Sequence, residues 1–215
     1  MQANLQSNVQ SLNSNIAYIL ADAEGDVLLY NNIFERRASD DLLLDLQENT
    51  DWRRDVVRMF GREMPTPRLS AWYGDPGVCY HYSGISLTAA GWTGTLLRIK
   101  SRVEAVAGIS FNSVLLNLYR DGGDSMSWHS DDESELGTNP VIASFSLGAA
   151  RRFQFKHKQR RELARIDLTL EHGSLLLMRG ATQHYWKHCL PKTRRPTPPR
   201  VNLTFRMIKT QCQQT

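Results

Sequence analysis

The sequence predicts a mainly β chain with flanking helices, an α+β arrangement built on antiparallel strands. Three observations predict it. Residues 200–207 and 114–119 alternate polar and apolar side chains with a period of two, as a strand with one buried face does. Short strand-like segments at 142–146, 152–156, 166–170 and 174–178 recur at the spacing of an antiparallel sandwich or barrel. Two further stretches carry helical periodicity instead.

Taken in order, residues 1–15 are rich in Asn, Gln and Ser and lack periodic apolar positions. A mobile arm is expected there, ahead of one domain over 16–215. Residues 26–30 read as a short strand. Ser39 reads as a helix N-cap, with Asp40 and Asp41 in the first turn and Leu42, Leu43 and Leu46 facing inward as far as Asn49. From 52 to 84 the pattern turns irregular and aromatic, and Gly74-Asp75-Pro76-Gly77 marks a turn. Trp72 and Tyr73 read as core rings, whereas Tyr80 and Tyr82 alternate and can share one face. Leu96, Leu97, Ile99, Val103 and Val106 mark the second helix, 95–107. The strand that follows places Asn117 and Tyr119 on one face.

A chain of 215 residues is long enough for a sizeable core. Its net charge of +4 and pI near 9.1 are compatible with a polyanionic partner, but are also common without one. Arg151, Arg152, Lys156, Lys158, Arg160, Arg161 and Arg165 stand against a single acid, Glu162, and Lys192, Arg194 and Arg195 extend the positive surface. That stretch is either a phosphate-contacting surface or a soluble face. Cys79, Cys189 and Cys212 are widely spaced, which predicts a reduced chain without a disulfide frame. No run has the length of a membrane span, and the N-terminus lacks the basic-then-apolar order of a signal peptide. The expectation is a soluble, intracellular monomer with no membrane partner and no obligate protein partner, cytoplasmic in a bacterium or nuclear in a eukaryote.

The chemistry-bearing residues lie late in the chain. His129-Ser130-Asp131 sets an imidazole and a carboxylate two residues apart, on the same side of an extended segment, where both can reach one metal ion. A third donor must come from elsewhere. His184 and His188, just after the apolar run 174–178, are its natural sources. Two histidines and one carboxylate form the donor set of non-haem Fe(II) oxygenases, and zinc in a hydrolytic site is the competing reading. Zinc does not account for Arg200-Val201-Asn202-Leu203-Thr204-Phe205-Arg206-Met207. The polar face of that strand either meets solvent or lines a cavity, and a buried guanidinium pair requires a carboxylate or phosphate.

Five segments carry a resemblance to a known family: Asn117-Leu118-Tyr119-Arg120-Asp121-Gly122, Trp128-His129-Ser130-Asp131-Asp132-Glu133, Ala143-Ser144-Phe145-Ser146-Leu147-Gly148, His184-Tyr185-Trp186-Lys187-His188, and the strand from Arg200 to Arg206. In that order, and over roughly residues 55–208, the chain resembles the AlkB-like Fe(II)- and 2-oxoglutarate-dependent dioxygenases, in particular the nucleic-acid repair branch. The resemblance implies a double-stranded β-helix (jelly roll) core at about 110–208 and an N-terminal nucleotide-recognition lid at about 52–84. It implies Fe(II) on His129, Asp131 and His188, the last preferred over His184 for its Tyr-Trp-x-His-x-Leu-Pro context. Arg200 would hold the distal carboxylate of 2-oxoglutarate, with Arg206 nearer the iron-side carboxylate or Asp131, and with Asn117, Tyr119, Asn202 and Thr204 lining the pocket. Asp132 and Glu133 would contact the substrate base or orient the metal ligands. Tyr80 and Tyr82 would stack on the base, and Phe60 is either a wedge into the duplex or a core residue. The implied reaction consumes 2-oxoglutarate and O2 and removes alkyl groups of the 1-methyladenine and 3-methylcytosine type from DNA, releasing aldehyde, succinate and CO2. RNA demethylation, or hydroxylation of a small molecule or protein, is the alternative.

Overall fold

The computed structural model describes residues 16–22, 24–59, 62–82 and 85–209. Its strands are β1 (Ile16–Asp22), β2 (Gly25–Tyr30), β3 (Val56–Met59), β4 (Arg62–Pro65), β5 (Leu69–Gly74), β6 (Cys79–Tyr82), β7 (Ile85–Thr88), β8 (Ser113–Tyr119), β9 (Met126–His129), β10 (Ile142–Gly148), β11 (Arg151–His157), β12 (Ile166–Leu170), β13 (Leu175–Arg179), β14 (Trp186–Leu190) and β15 (Arg200–Arg206). Helices α1 (Arg36–Asn49) and α2 (Gly94–Ala107) precede β8, and a single turn, α3 (Thr182–Tyr185), leads into β14.

Two sheets organise these strands. The larger runs β1-β2-β13-β10-β15-β8-β5 and the smaller β12-β11-β14-β9; every ladder within them is antiparallel. This is the jelly-roll core, with the hairpins β3–β4 and β6–β7 outside it. Leu42 and Leu46 of α1 and Leu96, Ile99 and Val103 of α2 pack with Phe145, Leu203 and Phe205 on one face of the large sheet. Leu176, Met178, Phe155 and Trp186 fill the space between the sheets. The large sheet is thus covered on both faces, which is why its central strands lack the exposed polar face of an ordinary antiparallel sheet.

The helices form where their periodicity places them. Thr93 caps α2, its hydroxyl accepting from the Leu96 amide at 3.2 Å, and Gly108 closes the helix at φ 71°, a left-handed conformation suited to glycine. Helix α1 departs from expectation: it begins at Arg36 after Glu35, and Ser39 lies inside it, buried. The packing of Ile33 and of Phe34, whose ring lies 5.6 Å from that of Phe145, pins the chain upstream of Ser39 and lets the helix start earlier. Strand β1 and the hairpins β3–β4 and β6–β7 were not expected from sequence, where only the alternation of Tyr80 and Tyr82 hinted at β6. Cys79 is disulfide-bonded, contrary to the expectation of a bridge-free chain, while Cys189 is a buried free thiol.

Phe145 is fully buried at the junction of α1 and the large sheet. Phe145→Ala should cost about 3–5 kcal/mol of stability in urea titrations; a loss below about 1 kcal/mol would contradict this layering.

Candidate active site

Between the two sheets, β15 turns its even-numbered residues toward the small sheet. Arg200, Asn202 and Thr204 are buried, and together with Asn117 and Tyr119 of the neighbouring β8 they line one cavity with His129, Asp131 and His188. Register explains the grouping. Arg200 lies opposite Tyr119 and Asn202 opposite Asn117, while His188 of β14 lies opposite His129 of β9.

The two histidines and the aspartate converge. One donor atom from each of His129, Asp131 and His188 falls within 4.8 Å of the others, close enough to share one ion. His129 Nδ1 sits 2.8 Å from the Ser127 carbonyl; since a carbonyl only accepts, Nδ1 carries the hydrogen and Nε2 presents its lone pair. Desolvation, followed by the nearby His188, pushes His129 down to about 4, so the ring stays neutral as a metal ligand requires. Phe153 stacks on His188 with ring centroids 5.4 Å apart. Asp131 is buried, yet the Arg206 guanidinium and the His188 ring hold its carboxyl well below the ordinary range against the desolvation that would raise it. Arg206 donates directly to Asp131 Oδ1, and Gln183 Oε1 accepts from the Asp131 amide at 2.9 Å.

Arg200 is the other pole of the cavity. It is 1% exposed, and burial pushes its guanidinium down to about 10. Nη2 donates to Ser146 Oγ at 2.9 Å, whereas Nε and Nη1 have no hydrogen-bond partner among the described residues. Asp131 is the one carboxylate lining the cavity among those residues, and Arg206 is on it. A buried cation with two unmet donors fits an incoming carboxylate. Asn202 and Thr204 extend the polar wall: Asn202 donates to Ser144 Oγ at 2.8 Å and accepts from the Thr204 hydroxyl at 3.2 Å.

The structure thus brings together the expected metal donors with Asn117, Tyr119, Arg200, Asn202, Thr204 and Arg206. His184 is exposed on α3, away from the donor cluster. Asp132 does not join that cluster; Lys158 Nζ holds it at 2.9 Å in an exposed position, and Glu133 is half-buried beside it. Phe60 lies outside the described residues, and so do the rings of Tyr80 and Tyr82, whose backbone forms part of β6. The basic stretch 151–165 is not one surface. Arg151 is buried, Arg152 pairs with Asp167, Arg160 pairs with Glu24 and Glu162, and Lys156 and Arg165 lie over the Trp128 ring at 4.4 and 5.6 Å. Sequence reasoning assigned no role to Ser144, Ser146, Gln183 or Arg68, whose Nε donates to Asn117 Oδ1 at 2.8 Å. The serines alternate along β10, a signal that gains meaning only once β10 is known to pair with β15.

The sequence model of the 2OG-Fe(II) oxygenase superfamily matches residues 26–206. The chain belongs to this superfamily. Within it the protein is an AlkB-like dioxygenase: it is 41% identical over 195 residues to the DNA oxidative demethylase ALKBH2 of Mus musculus, covering 86% of this chain and 82% of the relative. It is 42% identical over 190 residues to the alpha-ketoglutarate-dependent dioxygenase alkB homolog 3 of Mus musculus, covering 85% of this chain and 66% of the relative. The solved structure of OsALKBH1 shares the fold, with a TM-score of 0.62 at 17% identity over 87% of this chain and 99% of that one. Fe(II), 2-oxoglutarate and O2 are accordingly the cofactor and cosubstrates of this dioxygenase, and they suit the donor set and the unmet guanidinium. Among the described residues no helix is long and apolar enough to cross a membrane.

A folded-state value near 4 for His129 against an ordinary 6.5 means that the unfolded chain binds a proton there which the folded chain does not. Stability of the metal-free protein should therefore fall as pH drops from about 6.5 toward 4, and His129→Asn should flatten that slope in denaturant titrations.

Proposed function

We propose that this dioxygenase repairs DNA by oxidative removal of alkyl groups from base ring nitrogens. One observation carries the reading: Arg200, buried with unmet donors, faces the His129, Asp131 and His188 donors across a single cavity. Such a cavity suits a dicarboxylate lying between a guanidinium and a metal ion. The relatives named as DNA oxidative demethylases supply the substrate class.

The residues divide the work. His129, Asp131 and His188 would hold Fe(II), which with 2-oxoglutarate and O2 supplies the oxidation of an N-alkyl C–H bond, leaving succinate and CO2 as co-products. Arg200 would anchor the distal carboxylate, with Asn117, Tyr119, Asn202 and Thr204 fixing the cosubstrate in one orientation. Arg206, bound to Asp131, keeps that carboxylate ionised and aimed. Phe153 and Phe155 pack around His188 and keep bulk water from it. Asp132, tethered by Lys158, and Glu133 follow Asp131 in the chain and would contact the entering base or orient the metal ligands. Residues 52–84, with Phe60, Tyr80 and Tyr82, would form the lid that receives the flipped nucleotide. A hydroxylated N-alkyl carbon then breaks its C–N bond and leaves as aldehyde, restoring the base. Alkylation at a pairing nitrogen weakens the base pair, so the damaged nucleotide is the one most readily extruded.

Formaldehyde release from 1-methyladenine or 3-methylcytosine oligonucleotides should require both Fe(II) and 2-oxoglutarate, and Asp131→Ala or His188→Ala should abolish it. Arg200→Met should raise KM for 2-oxoglutarate by roughly 10- to 100-fold. Faster turnover on matched methylated RNA would overturn the choice of DNA.

A further inference from the structure

Arg151 opens β11 at the head of the basic stretch 151–165, for which a phosphate-contacting surface and a soluble face are the two sequence readings. The structure places it elsewhere. Its residue is 3% exposed, and all its hydrogen bonds go to backbone carbonyls: Nη1 to Asp121 at 3.0 Å, and Nη2 to Asp124 and Pro191, each at 2.9 Å. Among the described residues no carboxylate pairs with it directly, although the charges of Asp124 and Asp121 lie near it. The acid that might, Asp124, is engaged by Arg120 through its amide, Nε and Nη2 at 3.0, 2.8 and 2.8 Å.

What Arg151 does touch is Tyr119. Its Cζ lies 5.9 Å from the Tyr119 ring centroid, and Arg200 Cζ lies 5.2 Å from the same centroid. One phenol therefore contacts two buried guanidinium groups in a low-dielectric setting: Arg200 faces no acid, and Arg151 feels Asp124 and Asp121 only at a distance, without a direct pair. Such an arrangement is unfavourable unless an anion completes it. The three carbonyls that hold Arg151 also belong to the turn after β8 and the segment after β14, the strands that carry Tyr119 and His188.

We propose that Arg151 is a positioning residue for 2-oxoglutarate: it fixes Tyr119 from the side away from the cavity centre and adds a second positive charge to the pocket that Arg200 dominates. This rests on the proposed function, because it presumes that the anion is the dicarboxylate cosubstrate. Removing the charge weakens the hold on that dianion by roughly tenfold, the size expected of one unit charge acting across a protein interior. Affinity for the oligonucleotide is untouched, since Arg151 is out of its reach.

The test compares Arg151→Lys, which keeps the charge, with Arg151→Gln, which keeps donors for the carbonyls but not the charge. The Kd of 2-oxoglutarate is measured calorimetrically on the Mn(II)-loaded full chain, beside KM for cosubstrate and for oligonucleotide and the thermal midpoint. The expected result is a roughly tenfold weaker Kd and a matching rise in cosubstrate KM for Arg151→Gln alone, with oligonucleotide KM unchanged. In a Tyr119→Leu background the same substitution should lose part of its effect, as a contact made through the ring requires. Equal Kd values for the two variants, or a rise in both KM values that tracks a lower thermal midpoint, would overturn the proposal and leave Arg151 a structural clamp. If the unaltered chain binds no 2-oxoglutarate, the proposed function itself fails, a result separable from either outcome.

Discussion

A strand buried on both faces cannot carry two arginines unless the protein or its ligands meet their charges. Strand β15 is such a strand. Val201, Leu203 and Phe205 pack toward the helices, so Arg200 and Arg206 are driven into the space between the sheets. Arg206 is met by Asp131. Arg200 is met only in part, by the Ser146 hydroxyl and the face of Tyr119. The apolar packing of one face thereby determines the chemistry of the other, and the position of the site follows from the layering.

The same constraint explains what could be read from sequence. The alternation at 200–206 displayed both faces of β15, and the two-residue offset of His129 and Asp131 displayed two of three metal donors. His188 needed the resemblance, because sequence spacing alone left it level with His184. The structure separates them physically: β14 carries His188 beside His129, while His184 is spent on a solvent-facing turn. Helix α1 was legible in its inner face but not at its start, because the anchoring of Ile33 and Phe34 against the sheet is a long-range contact.

The basic stretch shows the limit most clearly. Composition treats Arg151 and Arg152 as equivalent neighbours, but a strand sends them to opposite faces. Arg152 reaches solvent and pairs with Asp167; Arg151 enters the core and finds only carbonyls and a ring. A charge count assigns both to a surface. The burial of Phe153 and Phe155, on the same side as Arg151, shows that one face of this strand is interior.

Charge balance then bears on how the cavity fills. With the imidazoles neutral, as ligation requires, one carboxylate, Asp131, lines the cavity against two guanidinium groups, Arg200 and Arg206. The cavity is left with a net positive charge. A divalent cation arriving alone adds to that excess, even though Asp131 and the histidines receive it locally. A dicarboxylate arriving alone reduces the excess, but finds no metal to complete its seat. Bound together, a divalent cation and a dianion leave the net charge as it was, while each satisfies groups that the other cannot. Each therefore strengthens the binding of the other, and by linkage the coupling is equal in both directions. The buried positive charge on β15 and behind Tyr119 is in this sense half of the metal site, although none of it touches the metal donors except through Asp131.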